Sequence, residues 1–459
     1  MQNINLEHPD FVAKKAMWSK YRDLYVGGEQ LKSNAATYLT PRQKEPGQIY
    51  EERLSKVFYE NYVGSIIDWY AATLFRREPA IHLDGVNDAG RQFFNTFTED
   101  CDLKGTALND MFRRLMLDAL VYGSGYVLAD FPKVNRTIET RAEEEAYGAS
   151  RAYLVECAPE SIINWSLDER GNYEWVVIRN TSLTKATVES AEWQEETRWL
   201  YYDKQHYRVY RLLKGAAAKA EPELIDSGMH GFAKQNRVPL FEVKVMDGLW
   251  LMNKAGLLQL EHFNKSNALS WALTLGLFAQ PVIYSDRPFN QVVGESYYIQ
   301  LAPGDKFGWT EPAGTVFQIA ADNLSRLQEE IYRVCYMMTQ SGGTSSSAQQ
   351  SGLSKMRDFA ITQEVLRAYG DVVKDGMRRV LRAIEAARED SLAIDVSGLD
   401  EFDIGDFSTE LDDAKKLLAL NINSATFKKQ LFQRLAAKYL CDLRQDVKDR
   451  IAQEIEAAT

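Results

Sequence analysis

The stretch that decides the fold is MNKAGLLQLEHFNKSNALSWALTLGLFA, residues 252–279, which contains no proline. Its 28 residues at ~1.5 Å each would form a helix of roughly 40 Å, and Gln280-Pro281 would end it. The most apolar part, Ala268–Ala279, is twelve residues long, well short of the ~20 that a membrane span requires. The sequence therefore predicts one long, buried helix and no membrane segment.

Residues 281–319 change to short strand-like runs, PVIYSD, SYYIQLAP and GTVFQI, which proline and glycine separate. A second helix is expected from about Asn323. Its apolar residues follow an alternating spacing of three and four, and they are Leu324, Leu327, Ile331, Val334 and Met338. Two helices that bracket a short insertion bring its ends together, so we expect a two-helix stalk that bears a small β-rich tip.

The segment after this stalk is QSGGTSSSAQQSG, residues 340–352, with no charge, no large apolar side chain and three glycines. Such composition is typical of a disordered surface linker, yet the segment lies between two of the most regular predicted helices. The helix that follows, Leu353–Arg388, has no proline and would be roughly 54 Å long if straight. Gly370 and Gly376 are expected to mark bends in it.

The C-terminal part begins with a strand-like stretch, LAIDVSG, at residues 392–398. Two polar helices are expected after it, over about 409–421 and 424–457. Ser424 has the position and the side chain of an N-cap residue in the turn between them.

The N-terminal half combines helices with a sheet. Apolar residues at helical spacing predict one helix over Gln48–Arg77 and another over Ala107–Tyr122. The second runs into Gly123-Ser124-Gly125 and a strand; phosphate-binding glycine loops precede a helix, so a nucleotide site is disfavoured here. From Arg151 to Val245 the period changes to two, which predicts an antiparallel sheet, with an exposed loop over Lys214–Pro222. The fold class is therefore α+β.

The composition limits the partners. The 459 residues carry a formal net charge of −11 and a pI near 5.2, which argues against tight binding to nucleic acid but leaves weak, sliding contact open. The cysteines, Cys101, Cys157, Cys335 and Cys441, are far apart and form no CxxC pair, so neither a disulfide framework nor a zinc site is indicated. The N-terminal residues show no secretory signal, so the protein is expected to stay in the cytoplasm where it is made.

Signatures of common enzymes are absent from the sequence, which contains no Walker A, HExxH, GxSxG or kinase-type set. The five histidines are scattered, and the acidic clusters, such as Glu143–Glu145 and Asp400–Asp406, are most simply solvated faces. We therefore expect no enzymatic activity, no catalytic residues, no cofactor and no metal.

The order of these parts, together with four stretches of sequence, resembles the portal proteins of tailed bacteriophages. The stretches are ADNLSRLQEEIYRVCYMM (321–338), SGLSKMRDFA (351–360), ELDDAKKLLALNINSATFKKQLF (410–432) and YLTPRQKEPGQIYEERLSKVFYENYVGSIIDWYAATLFRREP (38–79). The resemblance covers nearly the whole chain. It rests on the order of the parts and on the residue pattern of these stretches more than on any invariant motif.

The resemblance implies a portal-type fold with an α/β wing, a two-helix stem, a small β-rich clip, a long kinked helix and a helical crown. On this sequence the wing would cover 1–251 with a return strand at 391–408, the stem helices 252–279 and 322–339, the clip 280–321, the tunnel loop 340–352, the long kinked helix 353–390 and the crown 409–459.

The same resemblance implies a ring of twelve copies at one capsid vertex of the virion, assembled in the host cytoplasm. The ring would be the channel for packaging and ejection of double-stranded DNA, held weakly and without sequence preference. Its implied partners are the large subunit of terminase, the head–tail adaptor and the major capsid or scaffolding protein, with no membrane involved.

Three sets of candidate site residues follow. The tunnel-loop residues, whose small neutral side chains offer DNA only weak and exchangeable hydrogen bonds, are Ser341, Gly342, Gly343, Thr344, Ser345, Ser346, Ser347, Gln349 and Gln350. The stem helices would pack through the Leu324–Met338 stripe. Candidate clip anchors for a subunit or adaptor, which equally fit the core of a small β tip, are Tyr297, Tyr298, Phe307 and Trp309.

Two other functions fit the sequence less well. A different virion ring or head–tail connector protein is one, although such proteins are usually shorter and lack a stalk with an inserted tip. A cytosolic enzyme with an acidic active site is the other.

Overall fold

The computed structural model describes residues 3–133, 140–185, 187–188, 192–213, 221–276, 280–286, 301, 303–310, 314–337, 352–400, 402, 415–417, 419, 424–440, 443 and 445–457. Helices and strands coexist, which confirms the α+β class. The chain divides into two compact units: residues 1–22, 65–254 and 350–459 form the first, and residues 23–64 and 255–349 form the second.

The helices are α1 Pro9–Val26, α2 Gly28–Ser33, α3 Ala35–Tyr38, α4 Gly47–Ser55, α5 Tyr62–Leu74, α6 Asp88–Glu99, α7 Leu108–Tyr122, α8 Arg141–Ala146, α9 Leu251–Gly276, α10 Gly314–Val334, α11 Gly352–Arg388, α12 Ala425–Tyr439 and α13 Gln445–Ala457. The strands are β1 Ala80–Asp84, β2 Ser124–Asp130, β3 Tyr153–Cys157, β4 Ile162–Leu167, β5 Tyr173–Thr184, β6 Gln194–Asp203, β7 His206–Leu213, β8 Glu223–Met229, β9 Leu240–Lys244, β10 Gln280–Tyr284, β11 Lys306–Thr310 and β12 Ala393–Ser397.

The first unit is built on an antiparallel sheet in the order β4-β5-β6-β7-β8. Side chains alternate between the two faces of a strand. Accordingly Val176 packs in one apolar cluster, with Leu128 and Leu240 of the three-stranded sheet β3-β2-β9. Val177 packs in the other, with Phe11 and Trp18 of α1. Both faces of the larger sheet are thus covered, and the predicted antiparallel sheet is confirmed.

The predicted helix, glycine turn and strand are confirmed in α7 and β2. Gly123 ends α7 in the left-handed conformation, with φ 93°, a conformation that favours glycine. The indole N–H groups of Trp18 and Trp250 donate to the last carbonyls of α7, at Tyr122 (3.1 Å) and Val121 (3.0 Å). Gly125 allows β2 to approach α7 closely, because a Cβ there would lie 2.2 Å from the carbonyl oxygen of Leu115.

The prediction of one helix over Gln48–Arg77 is wrong, since α4 ends at Ser55 and α5 begins at Tyr62. Side chains of α9 form hydrogen bonds with backbone groups of the intervening segment. The carboxamide of Asn267 binds both the N–H and the carbonyl of Phe58. An apolar run that reads as a helix is therefore interrupted by partners about 200 residues away.

The predicted C-terminal helix over 424–457 is likewise two helices, α12 and α13. The N-cap at its start is confirmed, because the Ser424 hydroxyl accepts a hydrogen bond of 3.2 Å from the N–H of Phe427. After α12, the N–H of Leu443 donates to the carbonyl of Leu440 (3.4 Å).

The two glycines of the long helix, Gly370 and Gly376, lie at close contacts, and the bends expected at them stay a prediction. α11 is continuous from Gly352 to Arg388. A Cβ at Gly370 would lie 2.0 Å from the carbonyl oxygen of Leu399, and one at Gly376 would lie 3.0 Å from Val243. The helix therefore packs directly against backbone after β12 and against β9.

One carboxyl group of the first unit titrates near neutrality. Burial, with the charges of Glu156 and Glu160 added, raises the pKa of Asp118 to about 7. An unfolded chain ionises this group above pH ~4, so stability should fall as the pH rises from ~4 to ~7 and stay low above it. We expect Asp118→Asn to raise the free energy of unfolding at pH 8 by about 2 kcal/mol, allowing for partial exposure.

Urea unfolding at pH 4.5 and pH 8 measures this effect, and the advantage of the asparagine variant should shrink toward zero at the lower pH. Asp110→Asn on the same helix is the matched control, because Asp110 is exposed and paired only with Arg113 (2.7 Å). An Asp118→Asn variant that is no more stable than the parent at pH 8 would contradict the assignment.

Candidate channel-forming segment

Residues 251–334 form a helix, a two-stranded ladder and a second helix. α9 ends at Gly276, and β10 and β11 then pair antiparallel, with Gln280 opposite Thr310 and Tyr284 opposite Lys306. α10 begins at Gly314, four residues after that ladder. The pairing of Gln280 with Thr310 brings the ends of the two helices together, as expected for a stalk with an inserted tip.

The tip is smaller than the sequence predicted. GTVFQI, residues 314–319, was expected to be a strand, but it forms the first turns of α10, so the helix begins eight residues before 322. Its apolar residues fit either period, and extending an existing helix costs less than starting a new strand. β11, at Lys306–Thr310, was not predicted. The division into stem and clip stays a prediction.

The predicted apolar stripe lies on one side of α10. Leu327 and Ile331 are buried, at 4% and 0% exposure, and Leu324 and Val334 are half-buried. Met338 lies outside the described residues. Nearer the start of the same helix, Val316 and Ile319 are exposed by 64% and 68%. Whether the stripe packs the stem helices together stays a prediction.

Three carboxamides hold α9 to the N-terminal segments of the second unit. Gln259 accepts hydrogen bonds from the N–H groups of Tyr62 and Val63, both 3.2 Å, and donates to the carbonyl of Glu60 (2.7 Å). Asn267 binds Phe58 in the same two-way manner, at 3.1 and 2.9 Å. A carboxamide supplies one acceptor oxygen and two N–H donors. Gln259 thus binds the first N–H groups of α5, which have no acceptor within their own helix, and Asn267 satisfies both backbone groups of Phe58.

Asn264 extends this set, hereafter the carboxamide clamp (Gln259, Asn264 and Asn267). It donates to the carbonyl of Tyr38 (3.0 Å) and accepts from the N–H of Thr40 (2.8 Å). Sequence reasoning missed the clamp. The carboxamides of α9 stand among other polar residues, such as Lys254, Glu261 and Lys265, so nothing in the sequence marks them as partners of backbone groups.

A buried histidine links the same elements. The side chain of His262 is 3% exposed, and its Nε2 lies 3.5 Å from a carboxylate oxygen of Glu60. Its ring packs edge-on against Tyr62 (5.0 Å), which packs edge-on against Tyr332 of α10 (6.3 Å). Burial lowers the pKa of His262, while Glu60 raises it less. The cluster is a neutral packing contact between α9 and α10 rather than an acid–base site.

The remaining site predictions fall mostly beyond the described residues. All nine tunnel-loop residues lie there, as do Tyr297 and Tyr298. Phe307 is half-buried in β11 opposite Ile283, and Trp309 lies in β11 opposite Pro281. The roles of these residues stay predictions.

The described part of the chain contains no group of three His, Cys, Asp or Glu side chains that could hold a metal ion. Cys101, Cys157 and Cys335 are buried and unbridged, and burial raises the pKa of both Cys101 and Cys157 to about 12. These two thiols are therefore protonated and poorly nucleophilic. Among the helices that the structure describes, none is long and apolar enough to cross a membrane.

No protein-family model matches the sequence, and no curated protein matches it either. Solved structures do match. The neck of an empty GTA particle matches with 14% identity and a TM-score of 0.43, over 81% of this chain and 90% of that chain. The virion of a native gene transfer agent (GTA) particle matches with 12% identity and a TM-score of 0.43, over 86% and 96%.

A third structure, the neck of a native GTA particle computed with C12 symmetry, matches with 13% identity and a TM-score of 0.38, over 79% of this chain and 86% of that chain. At such identities and TM-scores, the function of this chain has to be inferred from its own residues.

Proposed function

We propose that this chain is a non-enzymatic ring subunit of a phage-like virion and, more specifically, the portal protein of a tailed phage. In that role twelve copies would surround a channel at one capsid vertex. The ring would pass double-stranded DNA during packaging and ejection, and it would dock the large terminase subunit first and the head–tail adaptor later.

The observation that carries the proposal is the arrangement of residues 251–352. Two long helices joined through a small strand ladder are followed by the charge-free stretch 340–352. A lining that DNA slides past has to contact phosphates without holding them, and serine, threonine and glutamine offer only neutral hydrogen bonds. The net charge of −11 per copy adds a general repulsion of DNA.

Rigidity of the stalk supports the same role. A channel wall carries load while DNA moves, and the carboxamide clamp ties α9 to two separate backbone segments through seven hydrogen bonds. Buried polar networks whose members are all satisfied hold one packing arrangement in preference to others. The clamp thus fixes the direction of the helix that leads to the tip.

Replacing Thr344, Ser345, Ser346 and Ser347 with lysine is expected to leave ring assembly intact and to stall packaging. Lysine would form charged hydrogen bonds with phosphate, each roughly twice as strong as a neutral one. Packaging is measured as nuclease-protected DNA in virions completed by the variant, and rings are counted by negative-stain microscopy.

The matched control replaces the same four residues with asparagine, which enlarges the side chains without adding charge, and it should package normally. Normal packaging by the lysine variant would count against the tunnel-loop role. A purified parent chain that stays monomeric at high concentration would refute the ring itself.

A further inference from the structure

His262 differs from the other buried histidine of the chain in its hydrogen bonds. Of the five histidines, two are buried, His230 and His262. The His230 ring uses both nitrogens, Nε2 with the carbonyl of Asp203 (2.9 Å) and Nδ1 with the N–H of Phe232 (3.2 Å). Nδ1 of His262 is buried and meets no hydrogen-bond partner within the described part of the chain.

The His262 ring lies where α9 holds the segment that precedes α5. Gln259, three residues earlier on α9, binds the carbonyl of Glu60 (2.7 Å). His262 places its Nε2 3.5 Å from the carboxylate of that same glutamate. Its ring packs edge-on against Tyr62, and Tyr62 packs edge-on against Tyr332 of α10. The imidazole is therefore in contact with the segment and is joined to α10 through one aromatic ring.

A proton on this ring would place a second N–H group inside the contact, because neutral imidazole carries one N–H and imidazolium carries two. The N–H at Nε2 could donate to Glu60, but the N–H at Nδ1 would be buried with no acceptor among the described residues. The Glu60 side chain is 46% exposed. An ion pair with such a carboxylate is weak, whereas a buried donor without a partner is costly. Burial accordingly lowers the pKa of His262 below its ordinary value of 6.5, and the charge of Glu60 raises it less.

The other ionisable groups around this joint are of types that keep one charge state between pH 5.5 and pH 7.5. Carboxylates stay ionised in that range, while lysine, arginine and tyrosine stay protonated. Within one helical turn of the joint these groups are Glu60, Tyr62, Glu261, Lys265, Glu329, Glu330, Tyr332 and Arg333. Any change in the joint between the two pH values is therefore assigned to His262.

We propose that His262 is an acid-sensitive joint of the stalk: when its ring takes up a proton, α9 releases residues 58–63 and the contact that Tyr62 makes with α10. The closed joint is fully stable above pH ~6.5, the ordinary pKa of a released histidine. Its stability decreases as the pH falls below that value, because the open state binds a proton that the closed state does not. The stalk is thus stiff at neutral pH and looser in acid. The inference concerns a single subunit and does not depend on the proposed ring.

The test compares the full chain with its His262→Phe variant, which keeps an aromatic ring and cannot take up a proton. Hydrogen exchange of the peptide that carries Tyr62 and Val63 is measured by mass spectrometry at pH 7.5 and pH 5.5, with correction for the intrinsic exchange rates. Opening of the parent is expected to increase by up to about tenfold at the lower pH, and that of the variant by less than about twofold.

His206→Gln is the matched control, because His206 is an exposed histidine of β7. It should keep the pH dependence of the parent. If the parent and the His262→Phe variant showed the same pH dependence at Tyr62 and Val63, the proposal would be overturned.

A second measurement follows the proton in the parent itself, so that the proposal stays testable if His262→Phe does not fold. Exchange of the imidazole C2 hydrogen, followed by mass spectrometry, reports the pKa of each histidine. A pKa of His262 below 6.5 is expected, and Glu60→Gln should lower it further, because that change removes a charge that favours the proton. A pKa of 6.5 or higher in the parent, or slower exchange of Tyr62 and Val63 in acid, would show a stabilising ion pair with Glu60 and would refute the acid-sensitive joint.

Discussion

Gln259→Leu is expected to lower the free energy of unfolding by about 2–3 kcal/mol, because it leaves the buried N–H of Val63 without a partner and removes one of the two partners of the Tyr62 N–H and of the Glu60 carbonyl, which also bond each other (3.2 Å). Gln259 is fully buried, at 0% exposure. Its three hydrogen bonds join α9 to the first two N–H groups of α5, those of Tyr62 and Val63, and to the carbonyl of Glu60 just before that helix. Leucine keeps the approximate volume, so the lost hydrogen bonds dominate the change.

Two measurements check this expectation. The urea midpoint gives the overall loss, and hydrogen exchange at the amides of Tyr62 and Val63 locates it. Those two amides should lose protection before the sheet of the first unit does.

Gln318→Leu is the matched control, since Gln318 is exposed and donates only to Asp322 on its own helix (2.8 Å). A change within ~0.5 kcal/mol is expected for it. If the Gln259 variant behaved like this control, the clamp would not be what fixes α9.

Local patterns account for the parts of the fold that were predicted correctly. The end of α7, Gly123 and β2 follow one another in the sequence, and the glycine conformation is required within that turn. The start of α12 at Ser424 is equally local. The long helix α9 was predicted to within about three residues, because proline and apolar spacing define it without help from other elements.

The misses have long-range causes. The break between α4 and α5 depends on Gln259 and Asn267, and nothing within residues 48–77 indicates it. The neutral composition of residues 340–352 could be recognised, but its role requires several copies of the chain and is not encoded in one.

The stalk combines features that the sequence predicts with features that only the structure shows. Sequence supplied its two helices and the neutral loop, while the structure supplied the clamp and the ladder that joins the helix ends. In the proposed role, a rigid support would precede in the chain a neutral segment that forms only weak hydrogen bonds with phosphate. The carboxamide clamp and the neutral loop can each be altered without changing the other. The proposed support and the proposed lining can therefore be tested separately.

Gly370→Ala is expected to destabilise the chain by about 3 kcal/mol or more, although alanine is favoured over glycine within a helix by ~1 kcal/mol. The added Cβ would lie 2.0 Å from the carbonyl oxygen of Leu399, which is backbone and cannot rotate away. Relief requires α11 to move, and the neighbouring Tyr369 would move with it. Tyr369 is fully buried, donates to the carbonyl of Leu249 (2.6 Å) and packs edge-on against Tyr70 (5.6 Å).

Gly47→Ala, at the first residue of α4, is the control, because no atom lies within 4 Å of a Cβ built there. It should leave stability unchanged or raise it by up to ~1 kcal/mol. Urea unfolding of both variants and the parent gives the comparison. If Gly370→Ala were as stable as the parent, helix propensity would outweigh the contact with Leu399, and the glycine would serve bending after all. The opposite signs expected for the two variants separate those readings, since both replace a helical glycine and only one has backbone against it.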